Sequence, residues 1–173
     1  MTRARRYPEW LIAIGCCFFI LVLAVSAYWE ADIRWLHFFQ AWMYLATLAL
    51  ALRRNRWGYF IGLGAAGFWC YVSLFVNTFF VNGLQQLAHW IASGHLQRPD
   101  LLIAVPAWLS NFLVVAGCLW AYGRLPGKSL RDAGRLAMAA ALGAGFFALD
   151  MALFQPRYLP LFRGALHPHW PKY

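Results

Sequence analysis

Five uninterrupted apolar runs, at about residues 10–28, 33–52, 57–81, 101–122 and 133–154, decide what this chain can fold into. A bilayer core about 30 Å thick is crossed by about 20 apolar residues in a helix, and each run meets that length. Hydrocarbon offers the backbone no hydrogen bonds, so a crossing segment is either a helix or part of a closed barrel. Barrel strands alternate apolar and polar residues, whereas these runs are continuous. Composition agrees: 62% of the 173 residues are hydrophobic and only 12% are charged, against roughly 25% charged in a soluble domain. An ordinary cytosolic domain, a disordered chain and a disulfide-built secreted module are excluded. The expected fold is all-α: a polytopic integral membrane protein whose five transmembrane helices occupy residues 1–154, followed by a Pro-rich tail over 155–173.

The first run follows a basic stretch, Arg3, Arg5 and Arg6, and Val25-Ser26-Ala27 has the form of a cleavage site. Its apolar part is longer than the roughly 7–15 residues of a signal-peptide core. It therefore reads as a retained first helix.

Charge placement orients the bundle. Lys and Arg number 15 against 6 Asp and Glu, for a net charge of +9. With the N-terminus in the cytoplasm, Arg3, Arg5, Arg6, Arg53, Arg54, Arg56, Arg124, Lys128, Arg131 and Arg135 lie inside. Arg34, Arg98, Arg157, Arg163 and Lys172 lie outside. This is the positive-inside bias, and it leaves the C-terminus external. Trp10, Trp29, Trp35, Trp57 and Trp120 fall near run ends, where indole rings favour the headgroup layer. The basic clusters are too small for a phosphate-tracking surface, so nucleic acid is not an expected partner. Compact loops and the lack of a soluble domain fit a bacterial inner membrane.

The connections differ in character. Residues 82–100 form an external amphipathic segment: Leu84, Leu87, Ala88 and Ile91 recur at helical spacing, opposite Gln85, Gln86, His89 and Ser93. The sequence predicts an interfacial helix ended by Gly94, with Pro99 blocking continuation. Ser129 with Asp132 three residues on has the form of a helix-start capping pair. The tail is apolar but interrupted by Pro156, Pro160, Pro168 and Pro171, so it cannot be one helix. Its His167 and His169 are weak metal candidates, because two histidines without further ligands do not complete a site. Cys16, Cys17, Cys70 and Cys118 sit inside apolar runs without a CxxC pair and read as packing residues. No cofactor is predicted, and bound lipid is expected.

Polar residues inside the runs are the functional pointers, since hydrocarbon makes unpaired ones expensive. His37, Gln40, Tyr44 and Thr47 form one stripe on helix two. Ser73 and Asn77 are a turn apart on helix three, Ser110 and Asn111 are near the middle of helix four, and Asp150 is near the end of helix five. At 1.5 Å per residue, His37, Asn77 and Asp150 each fall roughly 6 Å below the outer boundary. The tentative ligand set is therefore His37, Gln40, Tyr44, Asn77, Asn111 and Asp150, with Asp150 and His37 as the ionisable pair of an outward-facing pocket. The alternative for the same residues is interhelical hydrogen bonding for packing, at about 0.6 kcal/mol each on average. Gly58, Gly62 and Ala66, and again Ala137, Ala141 and Gly145, form small-xxx-small series that permit close helix approach.

The stretch LRRNRWGYFIG, residues 52–62, resembles the basic-to-Trp-Gly helix entry of small vitamin-precursor transporters of the nicotinamide riboside type. The resemblance covers that stretch alone and carries no site residue across. An Arg-rich loop, an interfacial Trp and a Gly-rich helix produce the same string on physical grounds.

HExxH, GxSxG, P-loop and paired intramembrane carboxylates are all missing. One intramembrane histidine cannot hold a haem between two axial ligands. The leading expectation is thus a non-catalytic accessory subunit of a larger membrane complex, with other subunits or further copies of itself as partners. The alternative is a small-solute carrier or substrate-binding membrane component using the outer polar residues. A lipid-acting enzyme with Asp150 and His37 as acid and base stands third.

Overall fold

The computed structural model describes residues 6–160. His167 and His169 lie outside the described residues. All regular structure in the described chain is helical. Helix α1 spans Tyr7–Trp29, α2 Arg34–Leu52, α3 Arg56–Tyr71, α4 Phe79–Ser93, α5 Pro99–Leu102, α6 Ala104–Gly123 and α7 Leu130–Phe154. A π-turn, Val72–Val76, extends α3. Five helical segments are long and apolar enough to cross a membrane: Tyr7–Trp29, Ala31–Leu52, Arg56–Val76, Pro99–Gly123 and Leu130–Phe154.

The third segment ends before residue 81. The π-turn closes with the Asn77 amide donating to the Val72 carbonyl at 3.0 Å. Thr78 then takes the left-handed conformation, φ 52°, which a β-branched residue rarely adopts. The Asn77 side-chain oxygen accepts from the Phe79 amide at 3.0 Å, which starts α4. Asn77 is therefore the hinge between two helices. Apolarity runs on through Phe79, Phe80 and Val81 and hides the break. Gly94, φ 70°, ends α4. The apolar side of α4 carrying Leu84 and Ile91 faces out of the molecule, while Gly83 packs against the Leu101 carbonyl and Ala104.

Helices α1, α2, α3 and α6 form a closed ring in which α1 packs on α2 and α6, and α3 packs on the same two. Helix α7 lies outside the ring, against α3 and more lightly against α2. The core runs through Ile12, Cys16, Phe19, Tyr44, Tyr59, Ala66, Val114 and Cys118. Close approach comes from glycine. A Cβ on Gly15 would sit 2.8 Å from the Ser110 carbonyl oxygen, and one on Gly117 would sit 3.0 Å from the Ile12 amide nitrogen. These two positions bring α1 and α6 together. Gly58 and Gly62 do the same against Leu50, Ala51, Thr47 and Cys118, and Ala66 is fully buried. Ala137, Ala141 and Gly145 are exposed on α7, and nothing lies within 4 Å of a Cβ at Gly145.

The two ends of the bundle differ. One carries Arg6, Arg53, Arg54, Arg56, Arg124, Lys128, Arg131 and Arg135. There Asp132, 2% exposed, gathers the starts of α3 and α7 and the end of α6. It accepts from Arg135 at 2.8 Å, Arg56 at 3.2 Å, the Ser129 amide at 3.2 Å and the Tyr122 hydroxyl at 3.3 Å. Arg56 also donates to the Pro126 and Gly127 carbonyls. Glu9 pairs with Arg54 at 3.2 Å. The opposite end carries Arg34, Arg98 and Arg157 with Glu30, Asp32 and Asp100.

Two glycine substitutions separate contact from propensity. Gly15→Val should destabilise by about 1–3 kcal/mol, because the added carbons meet α6 backbone. Gly67→Ala, with nothing within 4 Å of its Cβ, should stabilise by about 0.5–1 kcal/mol. Thermal unfolding of both variants in one detergent checks the pair; equal shifts would contradict the α1–α6 contact.

Candidate functional site

Above Phe19 the ring opens into a cavity of about 560 Å³. Its walls come from α1, α2, the α3 π-turn, the starts of α4 and α5, α6, and Met151 of α7. The wide end is set by Trp29, Glu30, Pro99, Asp100 and Tyr158 at helix ends, and the deep end by Phe19, Trp69, Gln40 and Ala107. From Glu30 down to Phe19 is about 16 Å along α1 at the helical rise. The mouth thus lies at the end away from the arginine cluster.

Local structure places the polar wall. His37 and Gln40 are one turn apart on α2 and face the same way. Gln40 is 7% exposed, yet it makes no hydrogen bond among the described residues. The His37 Nδ1 is buried and has no hydrogen-bond partner among them. The wider winding of the π-turn brings Val72, Ser73 and Asn77 to the cavity. Such turns recur at functional positions because they leave the regular ladder. The Ser73 hydroxyl donates to the Cys70 carbonyl at 3.1 Å.

Three of the six residues singled out from the sequence therefore meet on one cavity: His37, Gln40 and Asn77. Tyr44 and Asn111 lie beneath the floor. The Tyr44 hydroxyl donates to the Asn111 side-chain oxygen at 2.5 Å, and the Asn111 amide nitrogen donates to the Ala107 carbonyl at 2.8 Å. The Phe19 ring covers this pair, with its centroid 4.4 Å from Tyr44 and 5.3 Å from Trp69. Tyr44 and Asn111 satisfy each other and tie α2 to α6.

Asp150 stands apart. It is 4% exposed, and neither carboxylate oxygen has a hydrogen-bond partner among the described residues. It does not line the cavity, although the next residue, Met151, does. No hydrogen bond or ion pair joins it to His37 or to Arg157 among the described residues. The expected Asp150–His37 pair fails because α7 packs outside the ring, so that its buried side meets α3 and α2. Arg157 pairs instead with Asp32, and Gln155 donates to the Asp32 carbonyl at 2.5 Å.

Sequence reasoning missed the rest of the wall. Phe19, Trp29, Trp69, Phe79 and Tyr158 supply aromatic surface, and Glu30 and Asp100 supply charge. Trp29 had a plain reading as an interfacial anchor, and Glu30 carried no reading of its own. Asp100 pairs with Arg98, with a closest contact of 2.7 Å. Among the described residues no three His, Cys, Asp or Glu side chains are grouped to hold a metal ion.

Compared with protein-family models, with curated proteins and with solved structures, the chain matches none. The likeness of residues 52–62 to vitamin-precursor transporters thus gains no family assignment.

Proposed function

We propose that this chain is an integral membrane protein that binds a small, partly apolar solute and serves as a carrier or as the substrate-binding component of a transport process. The observation that carries this reading is the cavity of about 560 Å³, within the roughly 300–1,000 Å³ typical of small-molecule sites. Aromatic walls and a few convergent polar groups are the usual make-up of such sites, and Gln40, which makes no hydrogen bond within the described chain, lines this one beside His37, Ser73 and Asn77. The basic end sits in the cytoplasm by the positive-inside rule, which directs the mouth outward from a bacterial inner membrane, with lipid around the bundle.

Ser26 lies on α1 within the cavity wall, so Ser26→Trp fills the space without disturbing the α1–α6 contact. Purified wild type and Ser26→Trp, first shown to unfold at the same temperature, are screened against a panel of small metabolites by thermal shift. A bound solute at 100 times its Kd stabilises by about 2.7 kcal/mol. At least one solute should raise the midpoint of the wild type and leave the variant unmoved. A panel in which no solute separates the two proteins contradicts the reading.

The exposed series Ala137, Ala141 and Gly145 on α7 supports a second reading, a subunit of a larger membrane assembly in which α7 meets another chain. Purification in mild detergent tests it. Co-purifying chains lost on Ala141→Trp are expected, and a stable monomer of the wild type would rule this reading out.

A further inference from the structure

The charged lining of the cavity has one sign. Among the described residues Glu30 and Asp100 are its only charged residues, and no described Lys or Arg lines it. The described arginines at this end each have a partner other than Glu30. Arg98 is held by Asp100 through two contacts, at 3.0 and 2.7 Å, Arg157 pairs with Asp32 and lies over the Tyr158 ring, and the Arg34 Nε reaches the Ala27 carbonyl at 3.5 Å. Arg98 offsets Asp100. Glu30 forms no ion pair among the described residues and stands at the mouth with its charge uncompensated. Trp29 and Tyr158 at the mouth, and Trp69, Phe19 and Phe79 along the wall, supply the electron-rich surfaces to which a cation is attracted. Gln40, more than nine-tenths buried, adds an acceptor on the inner wall.

We infer that the solute is an organic cation, an amine or quaternary ammonium on an apolar body, drawn in by Glu30 and held by the aromatic walls. This rests on the solute-binding reading and names its ligand class. An anion would enter past an unpaired carboxylate with no basic residue among the described residues of the wall to meet it. A neutral solute would leave Glu30 without a role. The apolar body is required because the deep end, below Gln40, is formed by Phe19, Trp69 and Ala107.

A charge series on one shape tests the inference. Benzyltrimethylammonium, its neutral carbon isostere neopentylbenzene, and benzenesulfonate are titrated into wild type, Glu30→Gln and Ser26→Trp in lipid nanodiscs. Binding is followed by the fluorescence of the tryptophans lining the cavity. Glu30 is exposed, so its isosteric amide is expected to fold, and an unchanged unfolding temperature verifies this. The cation should bind wild type about tenfold more tightly than the neutral isostere, with benzenesulfonate weakest. Glu30→Gln should remove most of that margin, and added salt should shrink it, since an exposed carboxylate is screened. Ser26→Trp should abolish binding of the cation. The inference is overturned if the neutral isostere or the anion binds wild type as tightly as the cation, or if Glu30→Gln leaves the margin intact. If that binding is still lost in Ser26→Trp, the solute pocket stands and only its charge preference falls. If no compound of any charge distinguishes wild type from Ser26→Trp, both fall together.

Discussion

A polar group withdrawn from water into an apolar bundle must find its partner inside the protein, and the layout of this molecule follows from where that demand is met. At the arginine-rich end one buried carboxylate, Asp132, accepts from two arginines, a tyrosine and a backbone amide, while Glu9 pairs with Arg54 through one oxygen and keeps the other buried without a partner among the described residues. Midway, Tyr44 and Asn111 satisfy each other between α2 and α6. Toward the other end more buried polar atoms are left without partners among the described residues. His37 Nδ1 and both oxygens of Asp150 are buried without partners among the described residues, and Gln40 faces open space. The cavity, with Gln40 on its wall, lies toward this second end.

Side-chain size produces the same asymmetry. Gly15, Gly58, Gly62 and Gly117 all lie in the halves of their helices nearer the arginine cluster, and there the backbones come into contact. Toward the other end the cavity wall carries Phe19 of α1 and Trp69 of α3, with Trp29 at the end of α1 and Phe79 at the start of α4. Large rings cannot interdigitate where four helices converge, so the helices stand apart and enclose a cavity. The break at Asn77 and Thr78 adds to the opening. It stops the third crossing segment short and turns α4 aside, leaving the π-turn as wall.

Much of this was legible in the residues. Apolar run length identified five helices long and apolar enough to cross a membrane, and the His37–Gln40 spacing identified the face of α2 that meets the cavity. What failed did so for definite reasons. Rise per residue sets the height of Asp150 but not its azimuth, and whether it meets His37 depends on α7 packing outside the ring. The two small-residue series look alike in sequence. One is buried and the other exposed, because the motif permits close approach without specifying a partner. Hydropathy could not see the helix break, since three apolar residues follow it, though the adjacent Asn77-Thr78 pair was a signal. Glu30 and Asp100 were missed because a loop acid becomes a wall residue only once the helices around it are arranged.

The account turns on a solvent-reached cavity that opens away from the arginine-rich end, and a cysteine at Gln40 reports on it most directly. Intact cells expressing Gln40→Cys are treated with a membrane-impermeant maleimide, with the parent protein and its four native cysteines as the baseline. Labelling above that baseline from the outside, lost when Ser26→Trp is added, is the predicted result. Labelling only after the cells are opened, or labelling indifferent to Ser26→Trp, would contradict the account.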